Sequence, residues 1–123
     1  MTAAFDPHLT ETIFIPLDIL RTYFDTDKRA LFAQYQMYAA YLLQLWVRNQ
    51  ASLDCDLDRK GLRQSCARVC QNQELRALLA SVPGALPRQV AVAVRAVQQQ
   101  KPGQLYLLIK AWNLYYKLRD GRA

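Results

Sequence analysis

The longest stretch of this sequence without glycine or proline runs from residue 17 to residue 60. Both residue types interrupt helices, so their absence over this length favours one long central helix. Apolar side chains recur there at spacings of three and four on two adjacent stripes, which is the wide face that a central helix needs. The sequence therefore predicts a helix over residues 27–51, with one stripe of Leu31, Tyr35, Tyr38, Leu42 and Leu45 and another of Phe32, Ala39, Leu43 and Trp46.

Capping and helix-breaking residues divide the rest of the chain into shorter helices. Pro16 suits the first turn of a helix, and a β-branched cluster before it favours an irregular start through residue 15. Asp58 and Asn72 carry the side-chain oxygens typical of N-caps, and Pro83 and Pro102 mark breaks. The predicted helices, in chain order, span residues 16–24, 27–51, 58–71, 73–82, 88–100 and 104–119.

Two of these helices need further argument. Residues 90–94 alternate valine with alanine, which is a strand pattern, but Val90, Val94 and Val97 also share one helical face. No second strand candidate exists to pair with this segment, and a lone strand would leave its backbone groups unsatisfied, so we expect a helix. For the last helix, the sequence predicts an inner face of Leu107, Leu108, Ala111, Leu114, Tyr115 and Leu118.

These elements predict an all-α fold, a compact bundle of five or six helices, in a single helical domain over residues 1–123. The length suits one domain with a core that needs no disulfide. The three cysteines, Cys55, Cys66 and Cys70, are an odd number and indicate free thiols in a reducing compartment. We find no signal-peptide pattern and no apolar run of membrane-spanning length, so we expect a cytoplasmic protein with no membrane partner.

Charge is divided unevenly along the chain. Residues 1–58 carry four cations and eight acids, a net charge of −4, whereas residues 59–123 carry twelve cations and two acids, a net charge of +10. A half-chain this basic creates a positive field that attracts polyanions, of which nucleic acid is the commonest. The alternative is a basic surface that serves only to keep the protein in solution.

The cations of the second half recur on helical faces together with amides. Three such stripes are Lys60-Gln64-Arg68, Arg88-Arg95-Gln99 and an outer stripe of the last helix, Tyr106-Lys110-Asn113-Lys117. Their chemistry suits phosphate contacts with optional base stacking and no base readout, although each alone would fit the solvent face of an amphipathic helix. The candidate nucleic-acid-binding residues are Arg59, Lys60, Arg63, Arg68, Arg88, Arg95, Lys101, Lys110, Lys117 and Arg119.

The sequence matches none of the catalytic or metal-binding motifs that its residues suggest. His8 is the only histidine, so a serine or cysteine nucleophile elsewhere has no evident base. The aspartates of residues 54–58 have the spacing that opens an EF-hand loop, but Arg59 occupies its glycine position. Cys66 and Cys70 are four apart and lack a fourth zinc ligand. We therefore expect no enzyme activity, no cofactor, no metal and no small-molecule substrate.

The two ends of the chain carry a family resemblance. The opening Met1-Thr2-Ala3-Ala4, followed by Thr12-Ile13-Phe14-Ile15-Pro16-Leu17, reads like the interior of a longer protein. The closing helix contains Leu105-Tyr106-Leu107-Leu108-Ile109-Lys110-Ala111-Trp112. A short, basic, all-helical chain with these features resembles the small subunit of class 1 CRISPR effector (Cascade-type) complexes. More narrowly, it is similar to the type I-D version made from the C-terminal part of the large subunit.

This resemblance implies a non-catalytic subunit that stacks with copies of itself and with other subunits of a multi-protein complex. Such a subunit contacts the guide RNA–DNA duplex or displaced single-stranded DNA through phosphates. The main alternative is a helical protein–protein adaptor whose basic face meets an acidic partner. A helix-turn-helix over residues 58–82 is a further interpretation, but its turn lacks glycine and its second helix offers only Arg76 as a cation.

Overall fold

The structure is a computed structural model that describes residues 5–17, 29–82 and 85–121. These residues form helices and connecting turns, with no strand among them. The helices are α1 (Leu9–Thr12), α2 (Arg29–Gln50), α3 (Arg59–Cys70), α4 (Gln73–Leu79), α5 (Arg88–Gln98) and α6 (Pro102–Arg119). The predicted all-α bundle is confirmed.

Helix α2 is the centre of the bundle, as its double apolar stripe predicts. It packs against α1, α4, α5 and α6, and the side chains of Leu43, Trp46 and Val47 are fully buried. The apolar face is narrower than predicted, because Tyr38 and Leu45 lie exposed at its edge. The capping residues predicted at positions 25–27 lie outside the described residues.

The N-terminal segment is more helical than the sequence predicts, because residues 9–12 form α1. The backbone N–H of His8 donates to the Asp6 carboxylate at 2.9 Å, which fixes the turn before the helix. The indole Nε1 of Trp46 donates to the Thr10 hydroxyl at 2.9 Å. Contacts of this kind stabilise a helix that is too short to persist on its own propensity. Residues 15–17 are also helical, and the rest of the predicted helix over 16–24 lies outside the described residues.

Helices α3 and α4 begin where their capping residues predict. The Asp58 carboxylate accepts from the Gly61 N–H at 2.7 Å, and the Asn72 side chain accepts from the Leu75 N–H at 3.0 Å. Helix α4 ends at Leu79, three residues earlier than predicted. Long amides of neighbouring helices bond to the carbonyls at this end. Gln36 of α2 donates to the Leu78 carbonyl at 3.1 Å and to the Ser81 carbonyl. Gln98 of α5 donates to the Leu79 carbonyl at 2.6 Å.

Residues 88–98 form a helix, which confirms the choice of helix over strand for the valine-rich segment. Helix α5 ends in a Schellman motif, in which the N–H of Lys101 donates to the Ala96 carbonyl at 2.9 Å and that of Gln100 to the Val97 carbonyl at 3.1 Å. Gln100 takes the left-handed backbone conformation of this motif, with φ of 52°. Helix α6 then starts at Pro102, two residues earlier than predicted, because proline fits the first helical position.

The predicted inner face of α6 is wrong. Leu105 and Ile109 are buried, whereas Leu107 is 67% exposed. Leu114, Tyr115 and Leu118 are more than half exposed as well, Ala111 is exposed, and Leu108 is half-buried. The cause is that α6 carries two apolar stripes of similar spacing on opposite sides. They are 105-109-112-116, which faces α2, α3 and α5, and 107-111-114-118, which faces outward.

Candidate nucleic-acid interface

Helices α3 and α6 pack together and bring two of the candidate cations, Arg63 and Lys110, to one aromatic ring. The guanidinium carbon of Arg63 lies 4.7 Å from the ring centroid of Tyr106, and the Lys110 Nζ lies 5.8 Å from the same centroid. Both distances are within the range of cation–π contacts. The Tyr106 ring is only 8% exposed, so its predicted place on an outer stripe is wrong. The ring instead contacts both Arg63 and Lys110 at the helix junction.

We call Arg59, Lys60, Arg63, Lys110 and Lys117 the basic cluster. All five side chains are exposed. The three from α3 line a shallow surface depression together with Gln64, and the two from α6 line a second depression with Leu62 and Asn113. Arg63 of the first depression and Lys110 of the second contact the same Tyr106 ring, so the two depressions are neighbours at the junction of α3 and α6.

Backbone contacts fix both sides of this surface. The Asp58 cap sets where α3 begins, so Arg59 and Lys60 occupy its first turn. On α6, the Asn113 side chain donates to the Ala51 carbonyl at 3.0 Å, which ties the helix to the end of α2. Asn113 was predicted to lie on the outer stripe, but it is half-buried and its amide is used in this structural contact. Lys117, one turn further, remains exposed.

An acidic loop borders the basic cluster. Burial raises the pKa of the Cys55 thiol, a backbone hydrogen bond at Leu57 opposes the shift, and the charges of Asp56 and Lys110 act in opposite directions. Asp56 is the next residue in the chain, and Lys110 lines the same depression as Cys55. The acidic residues of the loop, Asp54, Asp56 and Asp58, lower the positive potential over the part of the cluster next to it.

The other candidate cations occupy separate parts of the surface. Arg68 of α3 forms an ion pair with Glu11 at 3.7 Å, and both side chains are more than half exposed. Arg88 and Arg95 project from the exposed side of α5. Lys101 stands at the N-cap of α6, and Arg119 lies in its last turn over the rings of Tyr115 and Tyr116, at 5.6 and 5.3 Å. Of the ten candidates, five therefore form the basic cluster.

An aromatic groove contains a cation that the sequence prediction missed. The guanidinium carbon of Arg48 lies 4.8 Å from the ring centroid of Trp112, across the junction of α2 and α6. The groove has a volume of about 550 Å³. Its lining residues are Arg48, Gln89, Leu108, Ala111, Trp112, Tyr115, Tyr116 and Arg119. Arg48 belongs to the half-chain with net negative charge, and the sequence signals it only by its place after Trp46-Val47 near the end of a long helix.

Two of the three thiols lie in environments that favour the protonated form. Burial raises the pKa of Cys66 to about 12 and that of Cys70 to about 11, so both remain protonated at physiological pH. A cysteine nucleophile needs a thiolate, which these environments disfavour. Within residues 5–17, 29–82 and 85–121, no group of three or more histidine, cysteine or acidic side chains is placed to hold a metal ion. No helix in this part of the chain combines the length and apolar composition needed to cross a bilayer.

Comparisons with known proteins leave the function to be inferred from the surface itself. No family model matches the sequence. No curated protein and no solved structure matches it significantly either. The resemblance to CRISPR small subunits therefore stays a prediction, and a proposal about function depends on the fold and charge of the described residues.

Proposed function

We propose that this chain is a non-catalytic nucleic-acid-binding protein that contacts the phosphate backbone through the basic cluster. The observation that supports this most is the meeting of Arg63 and Lys110 on the Tyr106 ring, at 4.7 and 5.8 Å. Because of this contact, cations from two helices act on one surface instead of forming two isolated solvent faces. A polyanion that spans both helices can then meet several cations at once.

The composition of the cluster favours backbone contacts over base readout. Lysine side chains act as mobile point charges for phosphates, and the two arginines can each contact one phosphate through two N–H groups. Reading a base sequence needs several side chains directed at base edges, whereas Gln64 is the one amide that lines the depression with the α3 cations. Binding of this kind is sequence-independent and depends strongly on salt.

The biological setting is a further part of the proposal. The resemblance to CRISPR small subunits implies that the chain is a cytoplasmic small subunit of a Cascade-like ribonucleoprotein. There it contacts the guide RNA–DNA duplex or the displaced strand, beside other subunits and copies of itself. Non-catalytic binding is consistent with protonated, buried thiols at Cys66 and Cys70.

The test compares two double variants that carry the same net charge. Arg63→Glu/Lys110→Glu alters the basic cluster, and Arg88→Glu/Arg95→Glu alters exposed cations of α5. Each pair lowers the formal net charge of +6 by four. Binding is measured by fluorescence anisotropy with labelled single-stranded and duplex DNA at low salt.

We expect the cluster variant to lose about tenfold or more in affinity, which corresponds to about 1.4 kcal/mol, and the α5 variant to lose clearly less. Equal losses would show that only net charge matters and would contradict a site at the cluster. If the unaltered protein fails to bind either DNA, the proposal is wrong. The adaptor hypothesis would then be preferred, and the exposed apolar face of α6 favours it in particular.

A further inference from the structure

The outward side of α6 carries an apolar seam, which we call the leucine seam. It consists of Leu107, Ala111, Leu114 and Leu118, all exposed. Leu107 is 67% exposed, Leu114 55% and Leu118 61%. The spacing of four, three and four residues is that of the contact positions in a coiled coil. The leucine seam therefore has the pattern of a helix–helix contact in which no helix of the described chain takes part.

The extent of this surface indicates a function. A helix that is apolar on opposite sides is typical of an element covered on both sides. The three leucines and Tyr115 are each more than half exposed and adjoin on one side of α6, so they form a contiguous apolar patch. The largest apolar patch on a monomer is roughly 300–600 Å² and is often functional, and this patch is of that order. The area is well below the roughly 800 Å² that each partner buries in a standard interface. The seam alone is thus too small to hold a stable partner, and interactions at its edges must contribute.

Cations border the leucine seam on both edges. Lys110 and Lys117 follow one edge along α6. On the other edge, Tyr115 leads into the aromatic groove, where Arg48 and Arg119 lie against the rings. Helix α6 itself contains no acidic residue. The surface is therefore an apolar seam between two positively charged margins.

We propose that the leucine seam docks an acidic amphipathic helix of another polypeptide, with apolar side chains on the seam and glutamate or aspartate on both flanks. Charge decides between this partner and a second copy of the chain. Two copies paired through α6 would each bring a net charge of +6, and antiparallel pairing would set Lys110 against Lys117 of the other copy. Like charges across an interface suppress the wrong partner, and opposite charges favour the right one.

The experiment uses the full chain and designed peptides. The probe is a labelled 21-residue helix with leucine at the contact positions and glutamate at the flanking positions, and its control has lysine at the flanks. Affinity is measured by anisotropy for the unaltered protein, for Leu107→Gln/Leu114→Gln, and for Ile15→Gln/Val92→Gln. The last variant replaces two exposed apolar residues elsewhere in the fold. Glutamine has nearly the helix propensity of leucine, so circular dichroism should show the helix content unchanged.

We expect saturable one-to-one binding of the glutamate peptide and binding of the lysine peptide that is weaker by about tenfold or more. The affinity of Leu107→Gln/Leu114→Gln, the α6 variant, for the glutamate peptide should fall by a similar factor. The affinity of the Ile15/Val92 variant should be unchanged. The proposal is overturned if the two peptides bind alike or if the α6 variant binds as well as the unaltered protein. It is also overturned if sedimentation shows a dimer that the α6 variant abolishes, because a second copy would then be the occupant.

The leucine seam shares Lys110 and Lys117 with the basic cluster, but its apolar contacts are not part of that cluster. The Leu107→Gln/Leu114→Gln variant leaves all cations of the basic cluster in place, so it should bind DNA as the unaltered protein does. Loss of peptide binding with retained DNA binding would show that the apolar contacts of the seam hold the peptide and are not needed for DNA. Loss of both would show instead that the α6 variant is misfolded, which circular dichroism detects, and Leu118→Gln alone then provides the milder test.

Discussion

A matched pair of alanine substitutions in α6 tests which side of this helix faces the core. Leu105 is fully buried, whereas Leu107, two residues away, is 67% exposed. Replacing a fully buried leucine removes its transfer free energy and leaves a cavity, so Leu105→Ala should lower the free energy of unfolding by about 3 kcal/mol. The same change at Leu107 removes no buried contact. It should alter the free energy of unfolding by no more than about 0.5 kcal/mol.

Urea denaturation followed by circular dichroism measures both values. With a slope of about 2 kcal/mol per molar urea for a domain of this size, the Leu105→Ala midpoint should fall by roughly 1.5 M. The Leu107→Ala midpoint should move by less than about 0.3 M on the same slope. If Leu105→Ala is too unstable to study, the smaller change Ile109→Val should still cost about 1 kcal/mol. A Leu107 effect equal to or larger than the Leu105 effect would refute the orientation of α6.

Three further predictions concern helix caps and thiols. Asp58→Ala and Asn72→Ala should each lower the free energy of unfolding by about 1 kcal/mol in urea titrations, because each leaves an N-terminal N–H without its side-chain acceptor. The pKa of Cys66 rises from 9.0 to about 12 on folding, so its stabilising contribution is complete below pH 9 and is lost towards pH 12. Stability should fall over that range, and less steeply in Cys66→Ala; an unchanged slope would contradict the assignment. At neutral pH a thiol reagent should label the half-buried Cys55 before Cys66 or Cys70, which should react only after unfolding.

Sequence features within short segments predicted most of the helices. The starts of α3 and α4 depend on an aspartate and an asparagine that bond to backbone three residues ahead, so a short window of sequence contains the whole interaction. The length of α2 follows from an uninterrupted run of helix-forming residues with a wide apolar face. The valine-rich α5 was identified from the absence of a pairing strand, which is also a property of the sequence alone.

The remaining features depend on contacts between distant residues. Two apolar stripes of similar spacing made the buried side of α6 undecidable from periodicity, and the side chosen was the wrong one. The carbonyls at the end of α4 accept hydrogen bonds from Gln36 and Gln98, which are far away in the chain and could not be paired with them from the sequence. Which helices are neighbours must be known before Arg63 and Lys110 can be placed on the Tyr106 ring and Arg48 on Trp112. The sequence therefore predicted where cations lie along each helix. It did not predict that cations of α3 and α6 form the basic cluster.

The salt dependence of single-stranded DNA binding tests the central claim most directly. Each phosphate neutralised contributes about −0.7 to the slope of log affinity against log salt, so the five cations of the basic cluster predict a slope of about −3.5. The Arg63→Glu/Lys110→Glu variant should give a slope of about −2 or shallower, since two contacts are lost. A slope near zero for the unaltered protein, or one unchanged in the variant, would contradict phosphate binding by this cluster.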